Sequence, residues 1–235
     1  MAIRFDILTI FPQAFESYFN LSILKRAQKQ GLIKIKVHNL RKWSKDKHLS
    51  IDDKPYGGGA GMVFLIEPIF KAVKEIKKKS KSAKKRVILF SLRGKKLKQK
   101  DLERLKKYEQ LILICPHYEG VDERVAKYVA DEVFSIGDYI LTGGELAAMV
   151  LVDGITRLIK GAIRQDSLKE ESFNSNLNKG DKNIYYEYPQ FSRPEVFYPT
   201  KSKKVYWRVP KVLLSGNHKK IYEWRRRNLK KVKTN

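Results

Sequence analysis

The apolar residues of this chain form short runs between longer amphipathic segments, a pattern that predicts strands alternating with helices. Two runs, Arg86–Phe90 and Gln110–Cys115, show no polar alternation, as is typical of strands covered on both faces. Further strands are predicted at Ile3–Phe11, at Ile33–Asn39 and in a short segment ending at Phe134, and helices at Pro12–Gln30, Glu67–Lys77, Lys98–Tyr108, Asp122–Ala130 and Leu146–Leu158. This order favours an α/β fold with a mostly parallel sheet.

The pattern changes after residue 161, and the chain is predicted to divide there. Residues 1–161 form the α/β domain. Residues 162–182 are polar without a period, which predicts a flexible linker. Residues 183–235 are predicted to form a small, basic and mainly helical domain, in which Asn217 is placed to cap a helix.

Positive charge is concentrated at the carboxyl end. The chain has 50 Lys+Arg against 25 Asp+Glu, a net charge of +25. Residues 201–235 hold thirteen of the basic residues and one acid, together with Tyr206, Trp207, Tyr222 and Trp224. A lysine-rich composition without a function would also raise the charge, but basic residues mixed with aromatic ones are typical of RNA binding. We therefore favour an RNA partner and expect no DNA.

Composition and motifs exclude several other classes of protein. The one cysteine, Cys115, allows no disulfide within the chain, which favours the reducing cytoplasm, and no apolar run is long enough to cross a membrane. The four histidines are scattered, so no zinc spacing is found. The glycine-rich run Asp52–Gly61 lacks the Lys-Ser/Thr of a nucleotide-triphosphatase loop. It also does not follow a strand as a dinucleotide fingerprint does, which excludes a nicotinamide-dependent oxidoreductase.

Three glycine-containing segments follow predicted strands: Phe90–Gly94, Cys115–Gly120 and Ser135–Leu146. The carboxyl ends of parallel strands meet at one edge of a sheet, where ligands bind in α/β folds. Each segment alone is an ordinary turn, but the three together predict a pocket lined by backbone amides and carbonyls. Such a lining suits a planar base, whose edge both donates and accepts hydrogen bonds.

Several segments of the chain resemble one known family. They are DDKPYGGGAGM, HYEGVDERV, SIGDYILTGGEL, YPQFSRPEVF and VPKVLLSGNHKKIYEWR, which occur in the family's order from about residue 5 to residue 227. The family is that of the bacterial tRNA (guanine-N1)-methyltransferases, in the knotted (SPOUT) methyltransferase superfamily. The resemblance implies a deep trefoil knot in the sheet domain, an exception to the rule that chains do not thread their own loops.

The resemblance also implies a cofactor, S-adenosylmethionine, held in a bent shape by the three loops of the knot. The implied cofactor-binding residues are Ser91, Leu92, Pro116, Ile136, Gly137, Tyr139, Leu141, Gly143 and Gly144. Two of them depart from the family's usual pattern. Pro116 stands in place of a glycine and removes an amide donor while keeping its carbonyl, and Leu92 replaces a proline beside the adenine.

Methyl transfer to guanine N1 requires a base, because N1 carries a proton at neutral pH and becomes a nucleophile only when it loses it. It also requires a positive group near O6, where negative charge develops. The resemblance assigns these roles to Glu171 and Arg157. Glu171 stands where the family usually has aspartate, so Glu170 and Asp166 are alternatives for the base.

The implied substrate is a tRNA with guanine immediately 3′ of the anticodon, preceded by another guanine. The implied tRNA-contacting residues are Asp52, His117, Glu119, Asn217, His218 and Arg225. His117 replaces an arginine, which weakens the contact expected there. The family works as a homodimer with an active site built from both chains. It also uses magnesium, for which no spacing in this chain predicts a site.

Two alternative functions stay open on the sequence. The first is a related knotted enzyme that acts on ribosomal RNA or on a ribose hydroxyl. The second is a non-catalytic RNA-binding relic, which the departures at Pro116, His117 and Glu171 favour. About ten residues near 176–185 are interpreted as an insertion without a known function.

Overall fold

The structure is a computed structural model that describes residues 2–164 and 185–231. It divides the chain into two compact units, Met1–Ile163 and Arg164–Asn235. No helix in the described part of the chain has the length and apolar character needed to cross a membrane.

The first unit is built on a five-stranded sheet in which every strand pairing is parallel. The strands are β1 (Ile3–Thr9), β2 (Ile33–Asn39), β5 (Lys85–Lys96), β6 (Gln110–Ile114) and β7 (Glu132–Ser135), in the spatial order β2-β1-β6-β5-β7. The prediction of an α/β fold with a mostly parallel sheet is confirmed.

Helices cover both faces of this sheet. They are α1 (Glu16–Phe19), α2 (Ser22–Lys29), α3 (Ile66–Lys79), α4 (Gln99–Leu105), α5 (Glu123–Tyr128) and α6 (Glu145–Arg157). Leu111 and Leu113 of β6 pack in one core with α2, α4 and α6, whereas Ile112 and Ile114 pack in a second core with α3 and α5. All five residues of β6 are buried, as its unbroken apolar run predicted.

The single helix predicted over Pro12–Gln30 is wrong. A 3-10 turn (Pro12–Phe15) and α1 are followed by a break before α2, where Ser22 takes a left-handed backbone conformation with φ of 41°. The carbonyl of Phe19, freed by the break, accepts a hydrogen bond of 2.8 Å from Gln28 Nε2. Apolar periodicity marks the buried face of both helical pieces but carries no signal for the change of direction between them.

Strand β5 is longer than predicted, and Phe90–Gly94 is not a strand-to-helix turn. The register of β5 on β7 shifts between Phe90 and Lys95, which both pair with Phe134, so the residues between them bulge out of the strand. After the bulge, β5 pairs with Phe134 again, and this close approach requires glycine at position 94, because a Cβ there would lie 2.7 Å from the backbone of Phe134. The bulge brings Ser91 and Leu92 to the edge of the sheet.

Residues 40–65, between the predicted strand Ile33–Asn39 and the predicted helix Glu67–Lys77, contain local structure. Leu40–Trp43 is a 3-10 turn, and β3 (Asp52–Asp53) pairs antiparallel with β4 (Val63–Phe64). The glycine-rich run Asp52–Gly61 therefore begins in β3, and its glycines lie in the connection between β3 and β4. Phe64 is fully buried, and its amide donates to the carbonyl of Gly120, which fastens this hairpin to the loop after β6.

The second unit contains two helices and two small strand pairs within residues 185–231. The helices are α7 (Lys211–Leu214) and α8 (His218–Arg227), and the strands are β8 (Tyr185–Tyr186) with β11 (Lys230–Lys231) and β9 (Val196–Phe197) with β10 (Trp207–Arg208). Asn217 caps α8 by accepting a hydrogen bond from the Lys220 amide at 3.0 Å, which confirms the predicted cap. A mainly helical character for this whole domain stays a prediction.

Candidate active site

A cavity of about 570 Å³ opens at the carboxyl ends of β5, β6 and β7. Its lining includes every residue to which the sequence resemblance assigned a cofactor role: Ser91, Leu92, Pro116, Ile136, Gly137, Tyr139, Leu141, Gly143 and Gly144. The volume lies within the roughly 300–1,000 Å³ of small-molecule sites. The three predicted segments therefore meet at one sheet edge, two as loops after β6 and β7 and the first as the bulge of β5.

Two of the loops touch each other at this edge. The amide of Gly144 donates to the carbonyl of Pro116 at 2.9 Å, and His117 forms an antiparallel bridge with Gly143. A Cβ on Gly144 would lie 2.8 Å from the Cα atom of Cys115. Glycine is thus required here by packing inside the protein. The Pro116 carbonyl retains one lone pair for a ligand.

The segment after β7 forms a self-contained turn along the cavity. Ser135 Oγ donates to the carbonyl of Gly137 at 2.8 Å, and the Tyr139 hydroxyl donates to the carbonyl of Ile136 at 3.3 Å. The side chains of Tyr139 and Leu141 remain partly exposed. The turn consequently combines a backbone held by internal hydrogen bonds with an accessible apolar surface.

A buried polar network lies beside the cavity, and the sequence analysis did not predict it. Glu145, the first residue of α6, is buried and accepts a hydrogen bond from Thr9 Oγ1 at 2.7 Å. Its other carboxylate oxygen is 3.8 Å from Nε2 of His117, whose ring also meets the edge of Phe11 at 5.0 Å between centroids. The signal in the sequence that could have indicated this network was Thr9, a polar residue at the end of β1.

His117 and Glu119 line the cavity, but Asp52 does not. Other groups of the protein surround most of the His117 side chain, of which 19% is exposed. Asp52 is half-buried in β3, opposite Phe64, which itself forms a parallel bridge with Val121. Of these predicted tRNA contacts, the structure brings His117 and Glu119 to the cavity and holds Asp52 one strand away.

Two ion pairs lie among the loops around the cavity. Arg93 Nη1 is 3.1 Å from Glu123 Oε2, and Lys96 pairs with Asp138.

Burial raises the pKa of the Cys115 thiol well above its ordinary value, and the nearby Glu145 carboxylate adds to this rise. Cys115 is therefore a packing residue at neutral pH and not a nucleophile.

Arg157 lies at the carboxyl end of α6 and is exposed. The cavity is at the other end of this helix, and the twelve steps from Glu145 to Arg157, at about 1.5 Å each, separate the two ends by about 18 Å. The structure therefore does not bring Arg157 to the cavity of its own chain. Glu171, Glu170 and Asp166 lie outside the described residues.

The remaining predicted tRNA contacts belong to the second unit. The side chain of Asn217 is engaged in capping α8, and His218 is the exposed first residue of that helix. The guanidinium of Arg225 lies over the ring of Tyr188, 4.8 Å from its centroid. Within residues 2–164 and 185–231, no group of three or more His, Cys, Asp or Glu side chains is placed to hold a metal ion.

A parallel sheet with a cavity built from loops at its carboxyl edge is typical of α/β proteins that bind a ligand. Over residues 3–235 the chain matches the family model described as tRNA (Guanine-1)-methyltransferase TrmD. The chain belongs to this tRNA (guanine-N1)-methyltransferase family.

Individual relatives are similar over nearly the whole chain. A tRNA (guanine-N(1)-)-methyltransferase of Dictyoglomus turgidum is 50% identical over 232 residues, which cover 98% of this chain and 86% of the relative. Those of Clostridium acetobutylicum and Carboxydothermus hydrogenoformans are 46% and 48% identical, covering 98% and 95% of this chain and 87% and 81% of the relatives. The family resemblance found in the sequence is confirmed.

Proposed function

We propose that this protein transfers a methyl group from S-adenosylmethionine to N1 of the guanine immediately 3′ of the tRNA anticodon. The observation that carries the proposal is the cavity at the ends of β5, β6 and β7, whose lining coincides with the cofactor residues implied by the family. The relatives' names supply the reaction and the substrate.

The residues around the cavity fit this cofactor. S-adenosylmethionine, when bound, supplies an activated methyl group on its sulfonium. Leu92, Ile136 and Leu141 offer apolar surface to the faces of a planar base. The Pro116 carbonyl and the backbone of the turn after β7 offer polar groups to its edge. The close contact of Gly143 and Gly144 with the loop after β6 supports a knotted crossing at this point.

In the proposed mechanism, Glu171 removes the proton from guanine N1 while the guanidinium of Arg157 stabilises the negative charge that develops on O6. Arg157 stands about 18 Å along α6 from the cavity of its own chain. This separation supports a homodimer in which Arg157 of one chain serves the cavity of the other. Magnesium enters the proposal only because the family uses it. We propose the cytoplasm as the compartment because the proposed substrate of this protein is tRNA.

The proposal is tested by transfer of labelled methyl from S-adenosylmethionine to two unmodified tRNA transcripts. They differ only in the base 3′ of the anticodon, guanine in one and adenine in the other. We expect label on the guanine transcript alone. Label on both contradicts the assigned target base, and label on neither, with tRNA still bound, favours the non-catalytic RNA-binding relic.

The assignment of the base is tested by replacing Glu171 with Gln, with Glu170→Gln as the matched control. Loss of one general base lowers turnover by roughly 10²–10⁴-fold. We expect this loss for Glu171→Gln, with an unchanged affinity for S-adenosylmethionine, and near-normal turnover for Glu170→Gln. The reverse result assigns the role to Glu170.

A further inference from the structure

The β9–β10 hairpin of the second unit carries four exposed aromatic side chains, which we call the aromatic platform: Phe197, Tyr198, Tyr206 and Trp207. Phe197 pairs directly with Trp207 across the hairpin, and their ring centroids are 5.6 Å apart with planes tilted by 33°. Tyr198 and Tyr206, in the connection just beyond the paired residues, form a second ring contact with centroids 6.4 Å apart. Between 46% and 63% of each residue's surface is exposed.

Other aromatic residues of the same unit have a packing role instead. Tyr188 is buried beneath the guanidinium of Arg225, and Trp224 is half-buried with its ring against that of Phe191 at 6.1 Å. Packing of this unit therefore accounts for Tyr188 and Trp224 but leaves the platform rings facing solvent. A group of large exposed aromatic side chains marks an interaction surface.

The charge around the platform indicates the chemistry of its partner. Residues 195–211 contain five basic residues and a single acid, Glu195. Two of the basic side chains lie over the platform rings: Lys203 Nζ is 5.7 Å from the centroid of Tyr198, and the Arg208 guanidinium is 5.5 Å from that of Tyr206. The hairpin thus combines exposed aromatic rings with positive charge next to two of them. Unpaired nucleotides present the complement, a planar base with a neighbouring phosphate.

We propose that the aromatic platform stacks unpaired bases of the tRNA substrate while Lys203 and Arg208 hold the adjoining phosphates. The identity of the RNA rests on the function proposed above, but the stacking itself requires no methyl transfer. The proposal assigns the RNA binding expected of the basic tail to one hairpin. It assigns base stacking to the exposed Tyr206 and Trp207 and not to Trp224, whose ring contacts the protein's own Phe191.

The test replaces Tyr206 and Trp207 together with Ala in the full-length protein and measures binding of a labelled, unmodified tRNA transcript by fluorescence anisotropy. Each stacked base contributes to the affinity, so we expect Kd to rise roughly tenfold or more. The matched variant with Phe at both positions keeps its stacking surface and is expected to restore most of the affinity. Tyr128→Ala, which removes an exposed aromatic residue from α5, is expected to leave Kd unchanged.

A second RNA separates stacking from general electrostatic attraction. A fully paired RNA duplex offers phosphates without free bases, so the alanine variant is expected to bind it as tightly as the unchanged protein. An equal loss of affinity for duplex and tRNA, or an unchanged Kd for tRNA, overturns the proposal. A shift in the sedimentation of the free protein on alanine substitution also overturns it, because the rings would then face a second copy of the chain.

Kinetics distinguish failure of this proposal from failure of the proposed function. If both hold, the alanine variant raises KM for tRNA while kcat at saturating tRNA and the affinity for S-adenosylmethionine stay near those of the unchanged protein. If the unchanged protein binds tRNA through the platform but transfers no methyl group, the platform stands and the proposed function fails. If methyl transfer occurs with the same KM in both proteins, the platform is wrong and the proposed function stands.

Discussion

At the scale of single residues, the glycines of the cavity loops are fixed by contacts inside the protein. A Cβ on Gly144 would approach the Cα atom of Cys115 to 2.8 Å, and one on Gly94 would approach the backbone of Phe134 to 2.7 Å. Both obstacles are backbone, which moves only together with its strand. The residue type at these two positions therefore follows from the close approach of chain segments, whatever ligand the cavity holds.

Gly144→Ala is expected to push the loop after β6 away from the loop after β7. Overpacking of this kind costs about 1–3 kcal/mol, and we expect the affinity for S-adenosylmethionine, measured by titration calorimetry, to fall roughly tenfold. Leu146→Ala, which alters an exposed residue two positions along α6, is the control and should bind normally. Normal binding by Gly144→Ala would contradict the tight contact between the loops.

Asp6 is a fully buried carboxylate near the middle of the sheet. Burial alone would raise its pKa, but hydrogen bonds from His38, Arg4 and Gln110 outweigh burial and hold the pKa below its ordinary value of 3.8. A lowered pKa stabilises the folded state at pH values above the ordinary pKa, and this contribution is lost as the pH falls through the lower folded value.

Asp6→Asn is therefore expected to lower the free energy of unfolding by roughly 3 kcal/mol at neutral pH, because it leaves Arg4 without its partner. The difference from the unchanged protein should shrink as the pH falls below about 4. Urea-induced unfolding, followed by circular dichroism between pH 3 and pH 7, measures both effects. A difference that stays constant over this range would show that the Asp6 charge does not stabilise the fold.

At the scale of elements, the sequence predicts the strands better than their interruptions. The runs that became β5 and β6 lack polar alternation because helices cover both sheet faces, and a local pattern records that burial. The break before Ser22 and the bulge of β5 are different, since one depends on a single left-handed residue and the other on the distant backbone of Phe134. Periodicity reports neither backbone dihedrals nor distant neighbours.

The candidate site likewise contains features that the sequence predicts and features that it does not. Two of its three segments are glycine-containing loops that follow β6 and β7, so their meeting at one edge was predictable from the order of elements, whereas the third is the bulge inside β5. The contact between Thr9 and Glu145 joins residues 136 positions apart, and no local pattern signals it. Arg157 was predicted from its match to the family, and only the length of α6 places it away from the cavity of its own chain.

The hydrogen bond from Thr9 to Glu145 is expected to couple the end of β1 to the start of α6. Thr9→Val should lower the free energy of unfolding by about 1–3 kcal/mol, because it leaves a buried carboxylate without a donor. Combined with Glu145→Gln in a double-mutant cycle of chemical denaturation, it should show a coupling energy of about 1 kcal/mol. Strictly additive effects would mean that the two side chains do not stabilise each other.

At the scale of the whole molecule, the proposed two-chain active site makes a quantitative prediction. Arg157→Ala removes the arginine proposed to stabilise O6, and Leu141→Trp is expected to fill the cavity, so each variant alone should be inactive. In a random mixture, half of the dimers contain one chain of each kind, and each such dimer has one intact site. We expect such mixtures to regain about a quarter of the full methyl transfer rate. No recovery would place Arg157 and the cavity of one chain in the same site.

The net charge of +25 gives the whole molecule a strong attraction for RNA, which also means that RNA binding alone does not identify its function. The product of the reaction is the decisive observation. We would digest the tRNA product to nucleosides and identify the methylated nucleoside by liquid chromatography and mass spectrometry. The account predicts 1-methylguanosine as the only new nucleoside, whereas a ribose-methylated nucleoside, a guanine methylated at another atom or no methylated product would contradict it.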